Sequence, residues 1–213
     1  STALMLYSDY LPYLILPLYV SYLLIFKKNI QKSAFRTFLP AFILIFVLVL
    51  PWFLIFPKQL SAGLSAASMS PAWAAVVGGS AFKDLLITFV KFVIGRISHD
   101  NNLIYALLFA PAGTIFAFLL LLSPFRMNSR RFFLWLWLLV PTLGAFIISF
   151  FIPVFAYFRL IFVLPAFYLL ISASINSVNW PKFNRFFLTL VLAVNLVSLG
   201  IYFSNTKFQR ENW

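Results

Sequence analysis

Cysteine is absent from the 213 residues, which excludes a disulfide framework, a thiolate nucleophile and a Cys-based metal site, and leaves no redox marker of compartment. Histidine occurs once, at His99, and acids only four times, at Asp9, Asp84, Asp100 and Glu211. Charged residues make up 9% of the chain and hydrophobic ones 63%, with a mean hydropathy of +1.01. A domain with that balance would not stay in water, so the expectation is an all-α integral membrane protein. The formal charge of +12 would suggest nucleic acid in a soluble chain. In a membrane chain it is first a topology signal, and no nucleic-acid partner is expected.

A bilayer core needs about 20 apolar residues per helix. Six segments qualify, roughly 7–26, 38–56, 103–122, 132–151, 154–175 and 186–203. Three short connectors carry Lys27, Lys28, Lys32 and Arg36, then Arg126, Arg130 and Arg131, then Lys182 and Arg185, and no acid. The positive-inside rule makes them cytoplasmic. Both chain ends, the turn at Pro153 and a long connection over 57–102 then lie outside, as do all four acids. A multi-pass protein of the cell inner (plasma) membrane is expected. Tyr7, Tyr10, Tyr13, Trp52 and Tyr202 on the outer side, and Trp135, Trp137 and Trp180 on the inner, fall where interfacial aromatic belts belong.

Pro12 and Pro17, Pro111 and Gly113, Pro141 and Gly144, and Pro165 interrupt the spans. Broken helices mark substrate sites in transporters, but proline is also common in membrane helices because neighbours satisfy the freed carbonyl. No span carries an acid, a lysine or a histidine near its centre, which favours the second reading. Asn195 reads as an interhelical hydrogen-bond partner rather than a ligand.

In the long outer connection, 57–79 reads as a loop holding a short surface helix. In "SAFKDLLITFVKFVIGRIS", 80–98, helical spacing gathers Ser80, Lys83, Asp84, Thr88, Lys91, Gly95 and Ser98 in one stripe and Phe82, Leu85, Leu86, Phe89, Phe92 and Val93 opposite it. That is the pattern of an amphipathic helix lying in the membrane interface. Arg96 points to its apolar side, where it either snorkels to a lipid headgroup or binds a phosphate. His99 with Asp100 reads as a polar turn, since two adjacent residues make no triad.

Arg159, in "VFAYFRLIFVLPAFYLL", lies five or six residues into the fifth span from its outer end. An arginine costs about 2.5–3.5 kcal/mol at the bilayer centre and less near the surface, so snorkelling alone would accommodate it. The sharper reading is a planar fork that holds a lipid-linked phosphate.

Four stretches carry a family resemblance: "VLVLPWFLIFPKQL" at 47–60, "LITFVKFVIGRIS" at 86–98, "FRLIFVLPAFYLLISASI" at 158–175 and "NTKFQRENW" at 205–213. In that order the chain resembles the membrane glycosyltransferases of GT-C architecture, in particular the bacterial dolichyl-phosphate-mannose protein mannosyltransferase-like group. The resemblance implies a polyprenyl-phosphate sugar donor, an acceptor protein, lipid or glycan on the outer side, and inversion at the anomeric carbon. It implies a donor-phosphate contact from Arg159; Arg159, Arg96, Lys91 and Lys58 are the outer cations available to hold the phosphate, and Arg159 with one loop cation is expected to do so. It also implies a carboxylate base in the first outer loop, for which Asp9 is a poor match, and a tyrosine after the late arginine, where Leu160 stands here. The base is therefore expected upstream of Ser1, 205–213 is expected to open a further outer soluble domain, and 1–213 is expected to be the C-terminal membrane half of a larger enzyme. No cofactor or metal is expected in this part, while the resemblance allows a divalent metal in the intact enzyme. Two rival readings stay open. A transporter or flippase for a lipid-linked substrate should show repeats and charges at mid-depth, and neither is evident. A non-catalytic scaffold should show small-xxx-small faces, which are sparse, Ala62 with Ala66 being one of few.

Overall fold

The computed structural model describes residues 2–25, 32–69, 81–99, 101–123, 127–152 and 154–208. In chain order the elements are α1 (Thr2–Ser8), a 3-10 turn (Leu11–Leu14), α2 (Ile15–Ile25), α3 (Lys32–Met69), α4 (Phe82–Ile94), α5 (Asn102–Leu122), α6 (Ser129–Ile148), a 3-10 segment (Tyr157–Val163), α7 (Leu164–Ile175), α8 (Pro181–Ser204) and a final 3-10 turn (Thr206–Phe208). There is no strand among the described residues. In lipid a helix satisfies its own backbone, which an open strand cannot do.

Four helical stretches are long and apolar enough to cross a membrane: Leu39–Gly63, Ser129–Ile148, Tyr157–Ile175 and Pro181–Ser204. Leu11–Ile25 and Phe109–Leu122 are apolar but shorter. Large apolar side chains such as Leu44, Phe46, Leu54, Leu196 and Phe203 stand exposed on these helices, a surface suited to lipid. The chain is a membrane protein.

It divides into two compact units, Ser1–Ser80 with Leu136–Val163, and Ala81–Trp135 with Leu164–Trp213. In the first unit α1 packs on α3 and the two 3-10 segments pack on each other. The segment expected as a single span over 7–26 is broken. Asp9 Oδ1 accepts the N–H groups of Tyr10 at 2.6 Å and Leu11 at 3.5 Å, and Pro12 next to them has no N–H to continue the helical ladder. Gly144 lets α6 approach the turn closely, since a Cβ there would stand 3.1 Å from the Leu14 side chain. That glycine serves packing.

Where a loop is expected from residue 57, α3 continues through Pro57 to Met69. The sequence after Pro57 is rich in helix formers, and the hydroxyls of Ser61 and Ser65 donate back to the carbonyls of Lys58 and Ser61. Residues 70–80 lie outside the described residues, as do the turn at Pro153, Asp100 and the stretch 209–213. The expected span over 154–175 opens as 3-10 helix and turns α-helical at Leu164. Pro165 sits in that first α turn, where a missing N–H costs no helical bond.

In the second unit α4 packs on α5 and α8, and α7 on α5 and α8. Phe116 and Phe167 stack with ring centroids 6.0 Å apart, and Phe92 meets Phe167 edge to face. The Tyr168 hydroxyl on α7 lies 2.6 Å from Asn195 Oδ1 on α8 and 3.1 Å from the Phe92 carbonyl, and Asn195 Nδ2 donates to the Val191 carbonyl. Asn195 is thus the interhelical partner its sequence context indicates. Asp84 accepts the Ala81 N–H at the start of α4, and Gly95, at φ 68°, ends that helix in a conformation other residues rarely adopt.

The polar stripe of α4 is partly turned inward. Thr88 is only 3% exposed, with its hydroxyl donating to the Asp84 carbonyl, while Phe82 and Leu86 stand outside. Arg131 on α6 donates from Nη2 to the Ala173 carbonyl at 2.9 Å and from Nη1 to the Ser123 carbonyl at 3.4 Å. It thereby neutralises the partial negative charge at the ends of α7 and α5.

Candidate functional site

The four cations expected to hold a phosphate divide between the units: Arg159 and Lys58 in the first, Lys91 and Arg96 in the second. Among the described residues Arg159 meets an acid. Its Nε lies 3.9 Å from Asp9 Oδ2, with the two side chains 23% and 29% exposed. The break between α1 and the following turn holds Asp9, and the 3-10 segment 157–163, packed on that turn, carries Arg159 to it.

At 3.9 Å the pair lies beyond the usual reach of a charge-assisted hydrogen bond, about 2.7–2.9 Å. Charge alone holds it, and the two terminal guanidinium nitrogens find no partner among the described residues. Asp9 is better fixed, because its other oxygen holds the backbone of Tyr10 and Leu11.

Tyr10 and Leu11 also line an apolar cavity of about 330 Å³, together with Tyr13, Phe53, Phe56 and Ile148. Around it runs an aromatic cluster. Tyr10 stacks on Trp52 at 6.1 Å and meets Phe56 edge to face at 5.2 Å, and its hydroxyl bonds Gln59 Oε1. The Tyr13 hydroxyl and Trp52 Nε1 are buried and have no hydrogen-bond partner among the described residues. A loosely paired guanidinium next to the cavity-lining Tyr10 suits an amphiphile with an anionic head.

The remaining expected site residues are placed differently. Lys58 is exposed on α3 beside Gln59, and its ammonium pairs with nothing among the described residues. Lys91 is drawn inward, donates to the Ile97 carbonyl and stands 5.2 Å from the centre of the Tyr105 ring. Burial, with a smaller contribution from repulsion by Arg96, lowers its pKa to about 8. Arg96, expected on the apolar side of α4, is exposed and edges a groove with Tyr168, Asn195 and Ser198. His99 Nδ1 accepts the Asn101 N–H in a polar turn.

Among the described residues no three of His, Asp and Glu come together. Asp9, with a guanidinium beside it, is an ill fit for a metal ion. Compared with known proteins, the chain matches no family model, no curated protein and no solved structure.

Sequence reasoning weighed Asp9 only as a poor match for a base and missed it as the partner of Arg159, because an acid at the head of a span resembles any interfacial polar residue. The available signal was that Arg159 needs a counter-charge and that acids are scarce.

Proposed function

We propose that this protein is part of an integral membrane glycosyltransferase that moves a sugar from a polyprenyl-phosphate donor to a protein, lipid or glycan acceptor on the extracytoplasmic side. The observation that carries the reading is Arg159, held only by charge to Asp9, beside a 330 Å³ apolar cavity whose wall includes Tyr10 and Leu11. In such a site the first isoprene units of the donor lie in the cavity. The phosphate faces the Arg159 guanidinium at the mouth of that cavity.

When the bond from the anomeric carbon to the phosphate oxygen breaks, its electron pair stays on that oxygen. A cation fixed at the low-dielectric boundary stabilises the growing charge, while the acceptor oxygen attacks from the other face and gives its proton to a base. Lys58, Lys91 and Arg96 are the further outer cations of this reading, and a divalent metal in the intact enzyme remains compatible with it.

The topology belongs to the same proposal: six crossings with the two shorter apolar helices counted, α4 in the interface, basic loops cytoplasmic and both chain ends outside, in the inner membrane. Support comes from each unit taken alone. The first gathers Asp9, Tyr10, Gln59 and Arg159, all expected on the outer side. The second gathers Ser123, Arg131 and Ala173, all expected on the inner side.

The test is sugar transfer by the intact enzyme in liposomes from a radiolabelled polyprenyl-phosphate sugar. Arg159→Ala should lower the rate about 100-fold or more, the scale of losing a transition-state charge contact. Full activity of the variant would end the reading and move the transporter and scaffold alternatives ahead.

A further inference from the structure

We infer that Asp9 is a built-in competitor for the ligand of Arg159: its carboxylate holds the guanidinium from the Nε side while the site is empty, and the incoming phosphate draws the guanidinium away from it. The inference rests on the proposed role of Arg159 and adds a residue that tunes the affinity of that site.

Three features support displacement over a permanent ion pair. The 3.9 Å separation leaves no hydrogen bond to break, so separating the charges requires only a small movement of the Arg159 side chain. Asp9 itself does not need to move, because its Oδ1 is held by the N–H groups of Tyr10 and Leu11. The pair is also partly exposed, at 23% and 29%, so water screens both charges as they part. A phosphate carries the same charge sign as Asp9 and a tetrahedral set of oxygens that the planar guanidinium grips in two places at once, which the single contact from Asp9 does not. The carboxylate then also repels the bound phosphate, which favours release of the product phosphate after the sugar has left.

The test is isothermal titration of the protein in detergent with farnesyl phosphate, with farnesol and with inorganic phosphate. Three forms are compared: wild type, Asp9→Asn and Arg159→Gln. Asparagine keeps an oxygen for the Tyr10 and Leu11 N–H groups, so the turn is preserved while the charge is removed.

The expected result is that Asp9→Asn binds farnesyl phosphate about fivefold more tightly, the scale of a partly exposed ion pair. Arg159→Gln should lose most of the binding, and farnesol should bind all three forms alike. A merely structural role for Asp9 would change farnesol binding as well, which overturns the inference. If Arg159→Gln weakens binding while Asp9→Asn matches wild type or binds less tightly, the competitor role falls and the Arg159 reading stands. If neither substitution changes farnesyl phosphate binding, both fall. Inorganic phosphate separates a free anion from a lipid-linked one. Equal affinity for it and for farnesyl phosphate would remove the apolar cavity from the site and overturn the inference in this form.

Discussion

Arg131 in the second unit and Arg159 in the first are both arginines at the ends of apolar helices, and they differ in what holds the guanidinium. Arg131 is bound by two backbone carbonyls, those of Ser123 and Ala173, which cannot leave. Arg159 has one carboxylate at 3.9 Å and no hydrogen bond from its side chain among the described residues. A cation satisfied by helix ends is part of the scaffold, because removing it takes a charged donor away from helix-end carbonyls. A cation held only by an exchangeable counter-charge keeps its donors for a ligand. In the proposed reading the same chemical group serves stability in one unit and binding in the other, and the partner decides which.

The largest effect expected from this contrast is the loss of about 100-fold or more in transfer by Arg159→Ala, with little effect on stability because partly exposed pairs contribute about 0–1 kcal/mol. Next, Arg131→Ala should destabilise the protein by about 2 kcal/mol, the value of hydrogen bonds from a charged donor. Thermal unfolding in detergent reads this, and Arg131→Lys should not rescue it, since an ammonium lacks the fork that reaches two carbonyls. Smaller still, Tyr168→Phe should cost about 1 kcal/mol by removing the hydroxyl shared with Asn195 and the Phe92 carbonyl. A double-mutant cycle with Asn195→Leu should show coupling, and additive losses would deny that the two residues act together.

Lys91 sharpens the comparison from a third side, since it is a cation drawn onto a carbonyl and an aromatic ring. Its pKa of about 8 lies below the ordinary lysine value of 10.5, so folding disfavours its proton. The unfolded chain binds that proton more tightly, and stability therefore rises as pH increases through the interval from about 8 to about 10.4 and is unaffected by this group further out. Amine acetylation followed by mass spectrometry should give Lys91 a labelling midpoint near pH 8. A midpoint near the ordinary lysine value of 10.5 would place Lys91 with the solvent-facing cations instead.

Much of the helical architecture is legible in the apolar runs. Leu39–Gly63, Ser129–Ile148, Tyr157–Ile175 and Pro181–Ser204 each overlap an expected span, and Asn195 takes the interhelical role its position indicates. The breaks are harder to read. Hydropathy counts Asp9 and Tyr10 as the edge of a continuous segment, whereas the Asp9 side chain, bonded to the backbone after it, and a proline end the helix there. At 57–69 the small and turn-forming residues suggest a loop, yet helix propensity carries α3 through them. The pairing of Asp9 with Arg159 joins residues far apart in the chain, and no local pattern announces it. Arg131 is counted by the positive-inside rule as a topology mark, which conceals its two carbonyl partners. Periodicity reports which face of a helix is apolar, but a polar site depends on where separate helix ends meet.

The most direct measurement of the contrast is to follow melting temperature and sugar transfer together in Arg131→Gln and Arg159→Gln of the intact protein. The account predicts that Arg131→Gln melts earlier while its folded fraction still transfers sugar, and that Arg159→Gln melts like wild type and transfers almost none. An Arg159→Gln protein that melts as early as Arg131→Gln yet keeps full transfer per folded molecule would contradict it.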